Sequence, residues 1–396
     1  MRILISGAGI AGPTLAYWLA HYGFEPTIVE KSPKLRTGGY VIDFWGAGFD
    51  IADRMGLLPE LRSKGYVVQE VRVVNRNGDR VAGFAADVFT RVTGGSYLSL
   101  PRGDLAAPIF GKIEGKVETI FGDSVAQVRE TAGGVHATFE RGPEREFDLV
   151  IGADGLHSRV REVVFGAQDR FERYLGYKAA AFEVEGYKPR DELVYVMFTE
   201  VRQQIARFSM RGDRTMFLLT VADDEIETGQ TGDLHAQKAL LRKRFGNSGW
   251  ECPRILEALD ATSDLYFDRV SQIRMDAERG LWTRGRVTLI GDAASCVSLL
   301  AGQGSALAMV AAYILAGELH RASGNYAEAF VRYQDLFAPF VEGKQKAALR
   351  LAGLFAPKSK AALYIRNRIM NLLGIPWVAE LALGGELADK LVLPEY

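Results

Sequence analysis

The chain has 396 residues, of which 48% are hydrophobic and 24% charged, enough for a large packed core. A formal net charge of -1 argues against a nucleic-acid binder, which needs a basic excess or a strong basic patch. Two cysteines, Cys252 and Cys296, argue against a disulfide framework and lack the clustered partners of a zinc site; they suit a reducing cytoplasm.

The opening "MRILISGAGIAG" reads as a strand and loop rather than a signal sequence. No apolar stretch reaches the roughly 18 residues of a membrane span. Gly7, Gly9 and Gly12 have the G-x-G-x-x-G spacing, with Ile10 and Ala11 between them. A helix follows to about Gly23, with Pro13 in its first turn and Leu15, Trp18 and Leu19 on its apolar side. The next strand, "EPTIVEK", ends on Glu30 and Lys31. Together these make a β-α-β unit of dinucleotide-binding type. Gly7 permits the tight turn, Gly9 admits a pyrophosphate and Gly12 lets helix and strand pack closely. Glu30 is placed to accept from ribose hydroxyls. The unit alone leaves NAD and FAD open.

In "LRTGGYVIDFWG", Arg36 precedes a Gly38-Gly39 turn and an alternating run that contains Asp43. The turn either exposes backbone N–H groups to a ligand or opens an ordinary hairpin. In "LPRGDL", Arg102 starts a helix, either to fork onto a phosphate or ribose or as a solvated surface arginine. "EFDLVIGADGLHSRVRE" is a buried strand, then a turn at Asp154 and Gly155, then a helix. Ligands bind at such strand ends, although an Asp cap alone would explain the turn. A fourth strand, Val287 to Ile290, ends in Gly291 and Asp292. Beyond it, Gly302, Gln303 and Gly304 lead a long Ala-rich helix whose expected packing face carries Leu307, Val310, Ile314 and Leu315.

These landmarks, in this order, resemble the group A flavoprotein monooxygenases of the para-hydroxybenzoate hydroxylase fold, over residue 1 to about 345. Within that family the chain looks most like the tetracycline-inactivating monooxygenases. The resemblance implies an α/β fold: a Rossmann-type, glutathione-reductase-like FAD-binding domain, an inserted β-sheet substrate domain and a helical C-terminal tail. The FAD-binding part would be discontinuous, over 1–70, 98–170 and 270–322. The substrate sheet would take 71–97 and 171–269, and the helical region 323–396, with a kink or break at Pro339. "ALYIRNRIMNLL" in that region reads as a basic amphipathic helix packed on the core, with a membrane-surface helix as the lesser alternative.

By the same resemblance, Glu30 holds the adenosine ribose and Arg102 reaches the phosphate or ribitol. Asp154 and Gly155 serve the pyrophosphate and NAD(P)H approach, and Asp292 binds ribitol hydroxyls. The Gly302–Gly304 amides face the flavin pyrimidine edge. Lys31 and Arg36 complete the cofactor set. Asp43, Phe208, Met210, Phe217 and Leu299 are the candidate substrate wall. On the second insertion's strands, Phe208 and Met210 share a face with either Phe217 and Leu219 or Met216 and Leu218, and such residues also commonly just pack a sheet. Ser295, Ser298, Leu299 and Ala306 depart from the family's usual His, Pro and Asn at these places, which puts loop stiffness and flavin orientation in question.

The activity implied is hydroxylation of an aromatic or polycyclic small molecule, including tetracycline-like ones, by a cytoplasmic monomer or weak dimer. NAD(P)H would be a transient co-substrate, and O2 would be carried as a hydroperoxide at flavin C4a. Flavin carries the chemistry, so no catalytic residue and no metal is assigned. A flavin halogenase is disfavoured because no two of the five tryptophans stand two apart. A flavin dehydrogenase or reductase, or a flavoprotein that sequesters a polycyclic ligand, are the alternatives.

Overall fold

The computed structural model describes residues 1–36, 38–223, 233–275, 281–375, 377–380 and 391–396. Thr37 of the "RTGG" turn, Asp224 of the "VADD" turn, and Pro376 and 381–390 of the expected helical tail lie outside the described residues.

Among the described residues, a six-stranded sheet runs in the order Thr283–Arg284, Val287–Leu289, Leu149–Gly152, Arg2–Ser6, Glu25–Glu30, Glu118–Phe121. All its pairings are parallel except that of Thr283–Arg284 with Val287–Leu289. The central strands are apolar on both faces, as a sheet covered on both sides requires. Parallel pairing brings the three motif turns, after Ser6, Gly152 and Leu289, to one edge. Backbone bonds stitch them together: Gly7 N–H donates to Val29 O (2.7 Å), Ala153 N–H to Ser6 O (2.8 Å) and Ile290 N–H to Gly152 O (2.9 Å). The helix Gly304–Arg321 is buried all round from Ala306 to Leu319, rather than on one face. A helix apolar on every side belongs in a core, and this one lies between Ala11–His21, Ala47–Arg54 and Tyr326–Phe355.

Both insertions contribute to a second, seven-stranded sheet. Its order is Tyr266–Ile273, Glu172–Glu185, Arg214–Ala222, Gln203–Ser209, Val194–Glu200, Glu70–Val74, Arg80–Ala85. Its register sorts the side chains. Tyr195 pairs with Phe208 and Phe208 with Met216; Met197 pairs with Ala206 and Ala206 with Leu218. These residues share one face. The other face carries Val196, Phe198, Ile205, Phe217 and Leu219, packed with Leu241, Phe245, Ile255 and Leu259 of the helices Leu234–Phe245 and Cys252–Ala261. The pair that joins Phe208 is therefore Met216 and Leu218. Phe217, expected in the substrate wall, instead packs against Phe182 and Tyr187 in the far-side core (ring centroids 5.1 and 4.9 Å apart).

The helix Tyr326–Phe355 continues through Pro339 without a break. The carbonyl deprived of its amide partner is that of Asp335; both residues are exposed, so water satisfies it. The helix Lys360–Leu372 then lies over the Tyr195 face. Asn371 Oδ1 accepts from Gly83 N–H (3.1 Å), and Met370 packs with Val71 and Phe84. Its outward Tyr364 and Ile365 stay exposed. Leu391–Tyr396 returns to the first sheet's helices: Tyr396 OH donates to the buried Glu318 (2.7 Å), and Tyr313 OH to Pro394 O (2.8 Å). Among the described residues, no helix is long and apolar enough to cross a membrane.

The face assignment has a direct check. Phe217 is fully buried, so Phe217→Ala is expected to lower unfolding free energy by about 3–5 kcal/mol in urea titrations while leaving FAD content per folded molecule unchanged.

Candidate functional site

At the end of the first strand the chain turns at Gly7, φ 109°, a conformation that glycine tolerates. A Cβ on Gly7 would stand 2.5 Å from the Ala153 carbonyl oxygen, and one on Gly12 would overlap the Gly7 carbonyl. The amides of Gly9 and Ile10 meet no acceptor among the described residues, and Ala11 and Gly12 open the helix that follows. Arg102, first residue of the helix Arg102–Gly111, donates its N–H to Tyr40 O (3.0 Å). Its Nη2 lies 3.3 Å from where a Cβ on Gly9 would be, and its guanidinium makes no hydrogen bond among the described residues. Free amides and an uncommitted guanidinium around one glycine make a cradle suited to a diphosphate.

Glu30 is buried at the loop's flank, where its two oxygens accept from Ala8 N–H (2.8 Å) and Ser32 N–H (2.9 Å). Lys31 and Arg36 stand exposed beyond it.

Asp154 is committed to backbone. It accepts from Arg159 N–H (2.8 Å), Val160 N–H (3.0 Å), and the hydroxyls of Ser158 and Ser6. It therefore caps the helix Arg159–Phe165 and fastens the second turn to the first strand, with Gly155 at φ 81° beside it. Burial raises the Asp154 carboxyl above its ordinary range, and these hydrogen bonds partly offset the rise. Sequence reasoning missed Arg161, which looks like a surface arginine in "HSRVR". It is fully buried, donating to Ala293 O (3.0 Å) and Leu156 O (2.7 Å), and so ties the second turn to the third. Nearby, His157 Nε2 meets Asp268 on the seven-stranded sheet at 3.0 Å. That contact clamps the two sheets together.

The third turn holds Gly291, φ 60°, and the half-buried Asp292. Burial raises the Asp292 carboxyl; the Arg102 charge and the Cys296 thiol lower it. A Cβ on Gly304 would stand 3.4 Å from Asp292 Oδ1, so the acid faces the next glycine turn. There Gly302 is left-handed (φ 68°) and the Gln303 and Gly304 amides have no acceptor among the described residues. Trp45 packs on this turn, 3.8 Å from where a Gly302 Cβ would be. Ser298 takes φ 138°, strained for a non-glycine residue, and its Oγ accepts from Leu300 N–H (3.2 Å). Leu299 packs beside Tyr177, Ala179 and Val270, bringing this turn against the seven-stranded sheet. Ser295 is buried. Ala306 lies so near Gly48 that a Cβ on the glycine would be 2.5 Å from Ala306 Cα, so the helices carrying the two residues pack closely.

Between this turn and the second sheet lies Asp43. It sits on the short strand Val41–Trp45, paired with Tyr97–Pro101, on the same side as Trp45. Its Oδ1 accepts from the hydroxyls of Tyr97 (2.8 Å), Ser99 (2.5 Å) and, from the second sheet, Tyr195 (3.3 Å). Its Oδ2 has no hydrogen bond among the described residues. Burial pushes this carboxyl up, against the pull of the three hydroxyls. Phe208 is buried against Tyr195 and Tyr66 (centroids 4.6 and 5.3 Å), and Met210 is buried in the same cluster, so both back the wall through Tyr195 and Tyr66. Tyr40 and Tyr266, which no motif flagged, meet across the two sheets at 5.2 Å. The site thus runs from a cradle of free amides, past an acid, to a second glycine turn, and on to an aromatic wall with one half-buried carboxyl.

Comparison with known proteins agrees with that geometry. Residues 1–329 match the family described as FAD binding domain. A flavin-dependent monooxygenase from an unknown prokaryotic organism is 35% identical over 411 residues, covering 100% of this chain and 99% of its own. Another, from Legionella longbeachae serogroup 1 (strain NSW150), is 32% identical, covering 100% and 98%. The crystal structure of the tetracycline destructase Tet(51) superposes with a TM-score of 0.82 at 33% identity, covering 100% and 99%.

Two measurements probe the site. If Asp292 accepts from the sugar hydroxyls of FAD, Asp292→Ala raises the FAD dissociation constant about tenfold to a hundredfold in a fluorescence titration. The second concerns the His157 clamp. Its hydrogen bond to Asp268 raises the folded-state pKa above the ordinary 6.5. The clamp therefore stabilises fully below that value and is lost as pH rises through the raised one. The Tm difference between wild type and His157→Ala should be larger at about pH 5.5 than at about pH 9.

Proposed function

The chain belongs to the FAD binding domain family of flavin-dependent monooxygenases, and we propose that it draws electrons from NAD(P)H to hydroxylate an aromatic or polycyclic enol or phenol, tetracycline-like compounds included. The observation that carries the substrate class is the half-buried Asp43 carboxyl. It lies between the second glycine turn and an aromatic wall, with one oxygen saturated and the other uncommitted. Full-length similarity to a tetracycline destructase supports the polycyclic reading.

The residues fit FAD along its length. Free amides at Gly9 and Ile10, with Arg102, receive the diphosphate; Glu30 exchanges its bond to Ala8 for the adenosine ribose, flanked by Lys31 and Arg36. Asp154 and Gly155 hold the turn on which the cradle closes. Gly291 and Asp292 take the ribityl hydroxyls. The amides of Gln303 and Gly304 favour negative charge at the pyrimidine edge, while the Gly302 N–H, expected to join them, donates to Leu299 O (3.2 Å) and shapes the turn. FAD held there would supply the two electrons from NAD(P)H that let dioxygen be divided, one oxygen atom going to the substrate and the other leaving as water.

The remaining work is the protein's. Asp43 Oδ2 takes a hydrogen bond from, or carries a proton to, the substrate's ring hydroxyl, its orientation fixed by Tyr97, Ser99 and Tyr195. Tyr195 and Leu299, backed by Phe208 and Met210, keep the ring flat and water out. NAD(P)H binds transiently, since the sequence carries a single dinucleotide fingerprint.

The test is turnover under labelled oxygen. The FAD-loaded protein is supplied with NADPH or NADH and a panel of phenols and tetracyclines. At least one compound should accelerate nucleotide oxidation and emerge with one labelled oxygen atom. Acceleration that yields only peroxide, or reduction of the compound without label, would overturn the reading.

A further inference from the structure

Arg366, on the helix Lys360–Leu372, is 4% exposed. Its Nη2 donates to Gln204 Oε1 (3.0 Å) and lies 3.8 Å from Met197 Sδ. Its Nε donates to Leu354 O (3.2 Å), and its Nη1 to Asn367 Oδ1 (3.1 Å). Every one of these partners is neutral. Burying a cation without an anion is costly. The equally buried Arg207, on the sheet's other face, is paired with both Asp191 and Glu251. Desolvation brings the Arg366 guanidinium down only to about 10, so it remains a cation at neutral pH.

Its location makes the missing anion informative. Met197 and Gln204 lie on the Tyr195 face, the face turned toward Asp43. Gln204 pairs with Thr220, and Thr220 with Ala179, which shares a cluster with Leu299 and Leu300 of the second glycine turn. Thr220 Oγ1 is itself buried without a hydrogen-bond partner among the described residues. Among the described residues, one end of the aromatic wall therefore holds a guanidinium with no anionic partner and, one strand over, an unbonded hydroxyl.

We propose that Arg366 recognises an anionic oxygen of the substrate, a carboxylate or the enolate of a β-dicarbonyl, with Thr220 as an accessory donor. This rests on the reading of the Tyr195 face as the substrate wall. It narrows the substrate class to acidic aromatics and polycycles, oriented with the anion at Arg366 and the hydroxyl to be activated near Asp43. Because Arg366 rides on the C-terminal helix, an anionic substrate also fastens that helix to the sheet.

The test is binding, not turnover. FAD-loaded protein is titrated with two matched pairs while flavin absorbance is followed. Rhein against 1,8-dihydroxyanthraquinone isolates a carboxylate; 4-hydroxycoumarin against coumarin isolates an acidic enol. Wild type should favour the anionic member of at least one pair by about tenfold or more, the effect of one buried charge pair. In Arg366→Met the preference should collapse to about twofold or less, and Arg366→Lys should keep part of it. Asn371→Ala loosens the same helix without touching the charge and should keep all of it. Absence of any preference in wild type, or its survival in Arg366→Met, overturns the proposal. Because no turnover is required, a failure of the hydroxylase reading, seen as absent label, is separate from a failure here.

Discussion

The site depends on how closely three backbone turns approach one another at one edge of a parallel sheet. Gly7 faces the Ala153 carbonyl, and Gly12 faces the Gly7 carbonyl, at separations no side chain allows. The result is a surface made almost wholly of backbone, in which amides rather than side chains present themselves to a ligand. That explains why acids at the rim, Glu30 and Asp292, are separated by more than 250 residues in sequence yet flank one groove. It also explains why Asp154 and Arg161 matter without reaching for a ligand. Asp154 saturates the amides of its own helix, and Arg161 saturates carbonyls of two turns. They hold the edge rigid so that the uncommitted donors at Gly9, Ile10, Gln303 and Gly304 need no reorganisation when charge arrives.

The second sheet meets the rest of the fold through polar contacts and ring packing, among them three near the site. Tyr195 reaches Asp43, His157 reaches Asp268, and Tyr40 meets Tyr266. Polar contacts of this kind fix orientation more than they add stability, since a half-exposed pair is worth little in water. The third wall, the C-terminal helix, is attached in the same manner through Asn371 and Arg366. Directional bonds between these surfaces set their mutual orientation, and the aromatic and aliphatic residues clustered between them exclude water.

Much of the first sheet was legible in the sequence because its signals are local. A strand, a glycine spacing and a helix start occur within a dozen residues, and backbone sterics dictate the rest. The second sheet was legible in its strands but not in its faces. "MFLL" within it, Met216 to Leu219, is apolar at every position, so alternation could not say whether Phe217 or Met216 looks inward; only register with Phe208 decides it. The long helix after Gly304 misled for the same reason, since a segment destined for full burial carries no amphipathic stripe. The buried arginines were invisible for the opposite reason. Arg161 and Arg366 sit in basic, outwardly polar stretches, and their burial is created by carbonyls and amides far away in the chain.

The loop between Asp292 and Gly304 shows how departures from a family pattern are absorbed. Ser298 holds a φ of 138° where the usual proline could not follow, and its hydroxyl recovers part of the cost by accepting from Leu300. Leu299, next in the chain, packs beside Ala179 and Val270 on the second sheet. Ala306 lies against Gly48, where a Cβ on the glycine would come within 2.5 Å of Ala306 Cα, so the two helices pack closely there. Leu299 thus meets the seven-stranded sheet, and Ala306 meets the helix Ala47–Arg54 at Gly48. The amides of Gln303 and Gly304 still lack an acceptor among the described residues, and Asp292 still faces Gly304, so the departures fall beside these donors and this acid rather than on them. A departure so placed changes what surrounds the turn without removing the groups the turn presents.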